Sequence, residues 1–269
     1  MIISVYKDAE ALRCVLHGLR RQTEKDFEVI VAEDGEDPCM AEACNGFPAL
    51  KVSHQTQADI GFRKMRAVNR AIAAARSPYL LFLDGDCVPH RTWVKHHLNA
   101  QTKGAVLAGR RMHLGVTFSA RVRRDPEYLS HLESTRKSLL LLPALHLDGA
   151  RNVELMKPSS LLQKFFGRKQ LNLVGCNFSA FRDDLLRVNG YDEGLTGIGG
   201  EDDDLHWRLE ASGSAIHNVK FQAIVYHLHH EPRRNEALSN INQSKQNLLA
   251  GIIFAQRGID AHLKHCIDS

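Results

Sequence analysis

Two acids flank one glycine in Leu83-Asp84-Gly85-Asp86-Cys87, directly after the apolar run Tyr79–Leu83. Carboxylates this close repel each other unless a cation sits between them or one holds a proton. Oxygen ligands suit Mg²⁺ or Mn²⁺, which bridges protein to phosphate oxygens. A β-turn leading to a helix cap would use the same residues, since Asp-Gly is common in turns. A second acidic group, Gly199-Gly200-Glu201-Asp202-Asp203-Asp204, opens a short helical pattern marked by Leu205 and Leu209. The helix macrodipole favours one or two acids there, but four repel one another. A carboxylate fixed at the end of a rigid element suits a general base.

Histidines form a third group in Tyr226-His227-Leu228-His229-His230-Glu231. Neutral imidazoles are common metal ligands. On an extended chain residues two apart share a face, so His227 is the expected ligand and His229 the alternative, with His230 kept open. A fourth group is Gln57-Ala-Asp59-Ile-Gly61-Phe62-Arg63-Lys64, leading into a helix that carries Asn69. Glycine followed by two cations at a helix start can hold a diphosphate, although a solvated basic face has the same composition. Asp34, at the end of a second strand pattern, suits a ribose or base edge, or an ordinary turn.

These groups need a frame, and the first hundred residues alternate strand and helix signals. Strands are expected at Ile2–Val5, Phe27–Ala32, Leu50–Ser53 and Tyr79–Leu83. Between them, Leu12, Val15, Leu16 and Leu19 line one helix, and Met65, Val68, Ile72 and Ala75 another. Tyr79–Leu83 is apolar throughout, as in a strand buried on both faces. This βαβ alternation predicts an α/β fold with a mostly parallel, helix-covered, Rossmann-like sheet. Ligands bind at the carboxyl edge of such sheets, where Asp84 and Asp86 would lie. Further on, the pattern predicts strands at Ala105–Ala108, Leu171–Phe181 and Ala223–Tyr226. It predicts helices over roughly 127–142 and 158–166 and a helical tail from Glu236 to Gln256. The division expected is a regular α/β half (1–110), an irregular α/β half (111–235) and a helical tail (236–269), continuous as one domain.

Composition narrows the class. The 269 residues, 43% hydrophobic and 25% charged, are those of an ordinary globular chain, which excludes collagen-like and wholly disordered classes. A net charge of +4 gives no strong polyanion signal, so no nucleic-acid partner is expected. No apolar run approaches the ~20 residues that span a bilayer. Met1–Asp8 lacks a basic n-region followed by an apolar h-region, so no signal peptide is read. Six cysteines without a Cys-x-x-Cys pair read as buried thiols in a reducing compartment. A cytoplasmic location is expected, with peripheral membrane contact through Arg110, Arg111, Arg121, Arg123 and Arg124 as one option and a solvated basic face as the other.

In order, these features resemble the family 2 glycosyltransferases of the GT-A fold. The second half resembles the galactosyltransferase-type segment of chondroitin-polymerase-like and β-1,4-galactosyltransferase-like enzymes. The resemblance runs to about residue 235, and its most specific parts are the Asp84/Asp86 pair and Gly-Gly-Glu-Asp-Asp-Asp. It implies an inverting, metal-dependent transferase that moves a sugar from a nucleotide-diphosphate sugar, UDP being favoured, to a hydroxyl of a glycan or lipid-linked glycan.

Val5, Tyr6 and Asp8 would then meet the nucleotide, Asp34 the uridine, and Arg63 and Asn69 the base and diphosphate. Asp84, Gly85 and Asp86 would form the DxD element, with Asp86 favoured as the direct ligand of Mn²⁺ or Mg²⁺. His227 matches the late metal-binding histidine. Asp202 would be the catalytic base, and Glu201 would orient a sugar. Ser4-Val-Tyr6-Lys-Asp8 departs from the family's usual Pro-Thr-Tyr-Asn ending. Two rivals stand beside this reading. A sugar nucleotidyltransferase would need a glycine-rich loop after the first strand, which Tyr6–Glu10 lacks. A non-catalytic nucleotide-sugar or glycan-binding module would not need Gly-Gly-Glu-Asp.

Overall fold

The computed structural model describes residues 1–231 and 237–263. Its first part follows the expected alternation: β1 (Ile2–Val5), α1 (Ala9–Arg20), β2 (Val29–Glu33), α2 (Pro38–Asn45), β3 (Val52–Gln55), α3 (Lys64–Ala74) and β4 (Tyr79–Asp84). Asp8 caps α1 by accepting from the Ala11 N–H at 3.0 Å, and Leu12, Val15, Leu16 and Leu19 are fully buried. β2 and β3 each start two residues later than expected. Pairing with β1 fixes β2, in the register Ile2 to Ile30 and Val5 to Glu33.

The second part adds β5 (Cys87–Pro89), α4 (Trp93–Ala100), β6 (Ala105–Ala108), β7 (Arg110–His113), α5 (Val116–Arg124), α6 (Leu129–Glu133), α7 (Thr135–Leu147) and α8 (Ser160–Phe166). The helix expected over 127–142 is interrupted at Ser134, whose backbone is extended (ψ 130°). Then come β8 (Asn177–Phe181), α9 (Arg182–Arg187), α10 (Glu201–Ala211), β9 (Ala215–Asn218), β10 (Ile224–His227), α11 (Ala237–Leu249) and α12 (Asp260–Leu263). Only the end of the expected strand 171–181 forms. Leu173 instead packs under α10, its N–H donating to His206 Nδ1 at 3.3 Å. The tail helix stops short of Gln256 near Gly251, which has φ +72°, and its expected first residue, Glu236, lies outside the described residues.

Seven strands form one sheet in the order β3-β2-β1-β4-β8-β6-β9, parallel except where β8 runs antiparallel between β4 and β6. A strand from the second half thus completes the sheet of the first. β4 alternates between two cores, Tyr79, Leu81 and Leu83 facing one and Leu80 and Phe82 the other. Phe82 stacks on Phe178 of β8 at 4.1 Å. A second sheet, β5-β10-β7, pairs His227 with both Cys87 and His113. No helix among the described residues is long and apolar enough to cross a membrane.

Candidate active site

Because β1, β2 and β4 are parallel, their carboxyl ends share one edge, and a cavity of about 570 Å³ opens there. Val5, Tyr6, Asp8, Asp34, Asp84, Gly85, Asp86, Glu201, Asp202 and His227, all expected at the site, line it. The close approach of β1 explains Gly85. Its N–H donates to Ser4 O at 2.8 Å, and a Cβ there would lie 2.7 Å from Val5 Cγ1.

The two acids of the Asp84-Gly85-Asp86 turn part company. Asp84 Oδ1 accepts from Ser4 Oγ and Lys64 Nζ, each at 2.8 Å, so an ammonium answers its charge. Burial opposes the Lys64 charge, but Asp84, Asp202 and Glu201 outweigh it and hold its pKa above the usual lysine value. Asp86 instead faces histidines. Its Oδ2 lies 3.6 Å from His227 Nε2 and 3.3 Å from His230 Nε2. Burial works against this carboxylate, and the two rings outweigh it and keep Asp86 well below the usual carboxylate range. Burial also lowers His227 to about 4, against the pull of Asp86.

Neighbouring ligands around a small divalent cation lie about 3 Å apart, and carboxylate and imidazole are both common divalent-metal ligands. The separations at Asp86 therefore fit such an ion. The side chains whose donor atoms all lie within 4.8 Å of one another are Asp86, Cys87 and His227, but the Cys87 thiol is fully buried and burial raises its pKa strongly.

The expected alternation of His227 and His229 is corrected. β10 ends at His227; Leu228 N–H still donates to Asp86 O at 2.9 Å, but past it the alternation of the strand is lost. His229 is exposed, its N–H bonded to Ser119 Oγ, while His230 comes back to Asp86. Two more expected contacts lie off the cavity. Asn69 is fully buried in α3, donating to Tyr191 O and Glu193 Oε1 and accepting from Tyr191 N–H. Arg63 sends its guanidinium to Ala58 O, but its N–H donates to Asp34 Oδ2 at 2.6 Å while Gln57 holds Oδ1 at 2.8 Å. Asp8, besides capping α1, forms a two-pronged pair with Arg123 at 2.7 and 2.8 Å.

Capping does not account for the acids of α10. The N-cap is Gly200, in the left-handed region at φ +85°, and no side chain caps the helix. Asp204 is spent on a buried pair with Arg208 one turn on. Asp202 turns away from the helix: Tyr191 Oη donates to its Oδ1 at 3.2 Å and Gly175 N–H to its Oδ2 at 2.7 Å. Burial, opposed by Lys64 and reinforced by Glu201, raises Asp202 to about 6. Glu201 is 7% exposed and lines the cavity, and its Oε2 has no hydrogen-bond partner among the described residues. Such an oxygen is costly unless a ligand donates to it.

Sequence reasoning did not single out Gly175, Tyr191 or Ser4 as site residues, and it saw Arg111, which also lines the cavity, only as part of a basic patch. Their contacts span 11 to 80 positions, so no local pattern carries them.

Comparison with known proteins agrees with this geometry. The family model "Glycosyl transferase family 2" matches residues 1–186, and "N-terminal domain of galactosyltransferase" matches 161–231. Chondroitin synthase of Escherichia coli is 28% identical over 252 residues, 88% of this chain and 35% of that protein. Validoxylamine A glucosyltransferase of Streptomyces hygroscopicus subsp. jinggangensis is 28% identical over 222 residues, 79% of this chain and 51% of that protein. The chain thus spans a third to a half of the length of these relatives. The S. aureus TarS 1–349 structure in complex with UDP superposes with TM-score 0.63 at 12% identity, covering 97% of this chain and 67% of that one. The Pyrobaculum calidifontis mannosyltransferase PcManGT, in complex with GDP-Man and Mn²⁺, gives 0.54 at 13%, covering 92% and 68%. A mixed α/β fold with a mostly parallel central sheet, GT-A structural neighbours and a family match over two thirds of its length lead to one conclusion: this chain belongs to glycosyl transferase family 2.

Proposed function

We propose that the protein is an inverting, divalent-metal-dependent glycosyltransferase that moves a sugar from a UDP-sugar to a hydroxyl of a glycan acceptor. The observation that carries this reading is the divergence of two carboxylates in one cavity. Asp86 is held well below the usual carboxylate range beside His230 and His227, whereas Asp202 is raised to about 6 at the head of α10. Pairs of acids whose environments push their pKa values apart divide the labour of acid–base chemistry.

In this reading Asp34 and Tyr6 hold the nucleoside and Asp86, His227 and His230 hold the cation. A bound Mn²⁺ or Mg²⁺ would supply charge neutralisation for the diphosphate. Asp202 accepts the proton of the acceptor hydroxyl as that oxygen bonds to the anomeric carbon, while the bond from that carbon to the diphosphate oxygen breaks on the opposite face. The electron pair leaves with UDP. Tyr191 and Gly175 fix the Asp202 carboxylate, and general-base assistance of this kind is worth ~10²–10⁴-fold. Glu201 Oε2 takes a hydrogen bond from a sugar hydroxyl. The relatives' names favour a carbohydrate acceptor: one is a synthase of chondroitin and the other a glucosyltransferase of validoxylamine A.

The test is titration of UDP into the protein with Mn²⁺ or with EDTA. Binding that needs the cation supports the proposal, and equal affinity in both buffers rejects the metal assignment.

A further inference from the structure

Outside the cavity the most unusual surface lies on α8. Ser159 caps the helix, its Oγ accepting from Leu162 N–H at 3.2 Å. One face is anchored: Leu162 packs on the core, and Gln163 donates to Asn218 O at 2.6 Å and accepts from Phe221 N–H at 3.0 Å. The other face is bare. Leu161 and Phe165, one turn apart, are each 66% exposed, and Phe166 is 61% exposed, with its ring centroid 6.3 Å from that of Phe221. Aromatic rings so far out of the core lose the burial that would hold them there, about 25 cal/mol per Å².

The charge around this face has one sign. Between Glu154 and Asp183 the sequence has no acidic residue, while Lys157, Lys164, Arg168 and Lys169 surround α8. None of these four cations is ion-paired among the described residues. The nearby acids are engaged, Glu154 by Lys220 at 3.2 Å and Glu210 by Gln170 at 2.8 Å. By contrast, the arginines expected to meet a membrane are partly spent, Arg123 on Asp8 and Arg121 on Tyr128 Oη.

We propose that the segment from Lys157 to Lys169 docks the protein on an anionic phospholipid bilayer, with Leu161, Phe165 and Phe166 entering the interface and the four cations meeting lipid phosphates. Helices with Phe and Leu on one side and Lys and Arg beside them bind in this way. Three side chains fall short of the ~800 Å² per partner of a stable protein interface, whereas a bilayer demands no matching shape. This inference does not depend on the chemistry assigned to the cavity.

Co-sedimentation with vesicles tests it. The full chain pellets with phosphatidylcholine–phosphatidylglycerol vesicles at low salt and stays in solution with pure phosphatidylcholine. Phe165→Asp/Phe166→Asp abolishes pelleting, and Lys164→Glu/Arg168→Glu/Lys169→Glu weakens it more than tenfold, each cation being worth about fivefold. An unchanged melting temperature and UDP affinity show that both variants fold, and since the altered side chains are exposed, Phe165→Ser serves if the double change does not. The proposal is overturned if the parent ignores anionic vesicles, if both variants pellet like the parent, or if light scattering shows that the Phe165→Asp/Phe166→Asp change splits a dimer, which would make this face a contact between copies.

Discussion

Gly175 and Asp202 meet so closely that a single methyl group would part them. The Gly175 N–H donates to Asp202 Oδ2 at 2.7 Å, and a Cβ on Gly175 would lie 2.6 Å from Asp202 Oδ1. The loop before β8 therefore aims the proposed base.

Gly175→Ala is expected to push the carboxylate off its bearing and lower turnover by at least ~10-fold, because small misplacements of a reacting group are costly. UDP affinity and Mn²⁺ activation, which depend on the other end of the cavity, stay within about twofold. Steady-state kinetics beside UDP titration separates the two effects.

The histidines should rank His230 and His227 above His229. His227→Ala and His230→Ala each raise the Mn²⁺ concentration needed for half-activation by ~10-fold or more, in line with loss of a metal ligand or its support. His229→Ala leaves it unchanged. If His229→Ala alone shifts the Mn²⁺ titration, the placement of the ion at Asp86 Oδ2 is wrong.

The Asp202 value of about 6 sets a pH profile. The base works when ionised, so kcat/KM falls about tenfold per pH unit below 6 and levels off above 7. His227, at about 4, and Asp86, lower still, titrate beneath that window, so UDP affinity at pH 5.5 stays near its neutral value. A rate that declines only below pH 4.5 would assign the essential group elsewhere.

Much of this arrangement is legible in the sequence. Leu12, Val15, Leu16 and Leu19 announce α1, and the unbroken apolar run at Tyr79–Leu83 announces a strand between two cores, because burial imposes local periodicity. That strand and the parallel frame bring Asp34, Asp84 and Asp86 to one edge. The failures are equally physical. β5 and β7 are three and four residues long and held by pairing with β10, which no short window registers. His230, and not His229, approaches Asp86 because the two-residue period of β10 does not continue past His227. Asn69 reads as a site residue beside two cations, yet it ties α3 to Tyr191, 122 positions away.

Stability offers an independent check on Asp202. Folding raises its pKa from the ordinary 3.8 to about 6, so the folded state favours the proton. That contribution to stability is present below the ordinary value and is lost as pH rises through 6. Asp202→Asn, neutral at every pH and still able to accept from Gly175 N–H, is expected to melt no lower than the parent at pH 8. A helix-capping acid would behave in the opposite way, losing ~0.5–2 kcal/mol on substitution.

The most direct measurement is UDP release by Asp202→Asn, using whichever UDP-sugar gives the largest Mn²⁺-dependent thermal stabilisation of the parent. The account predicts a rate at least ~10²-fold below the parent at saturating donor, with UDP affinity in Mn²⁺ unchanged. An Asp202→Asn protein that releases UDP at close to the parent rate would contradict it.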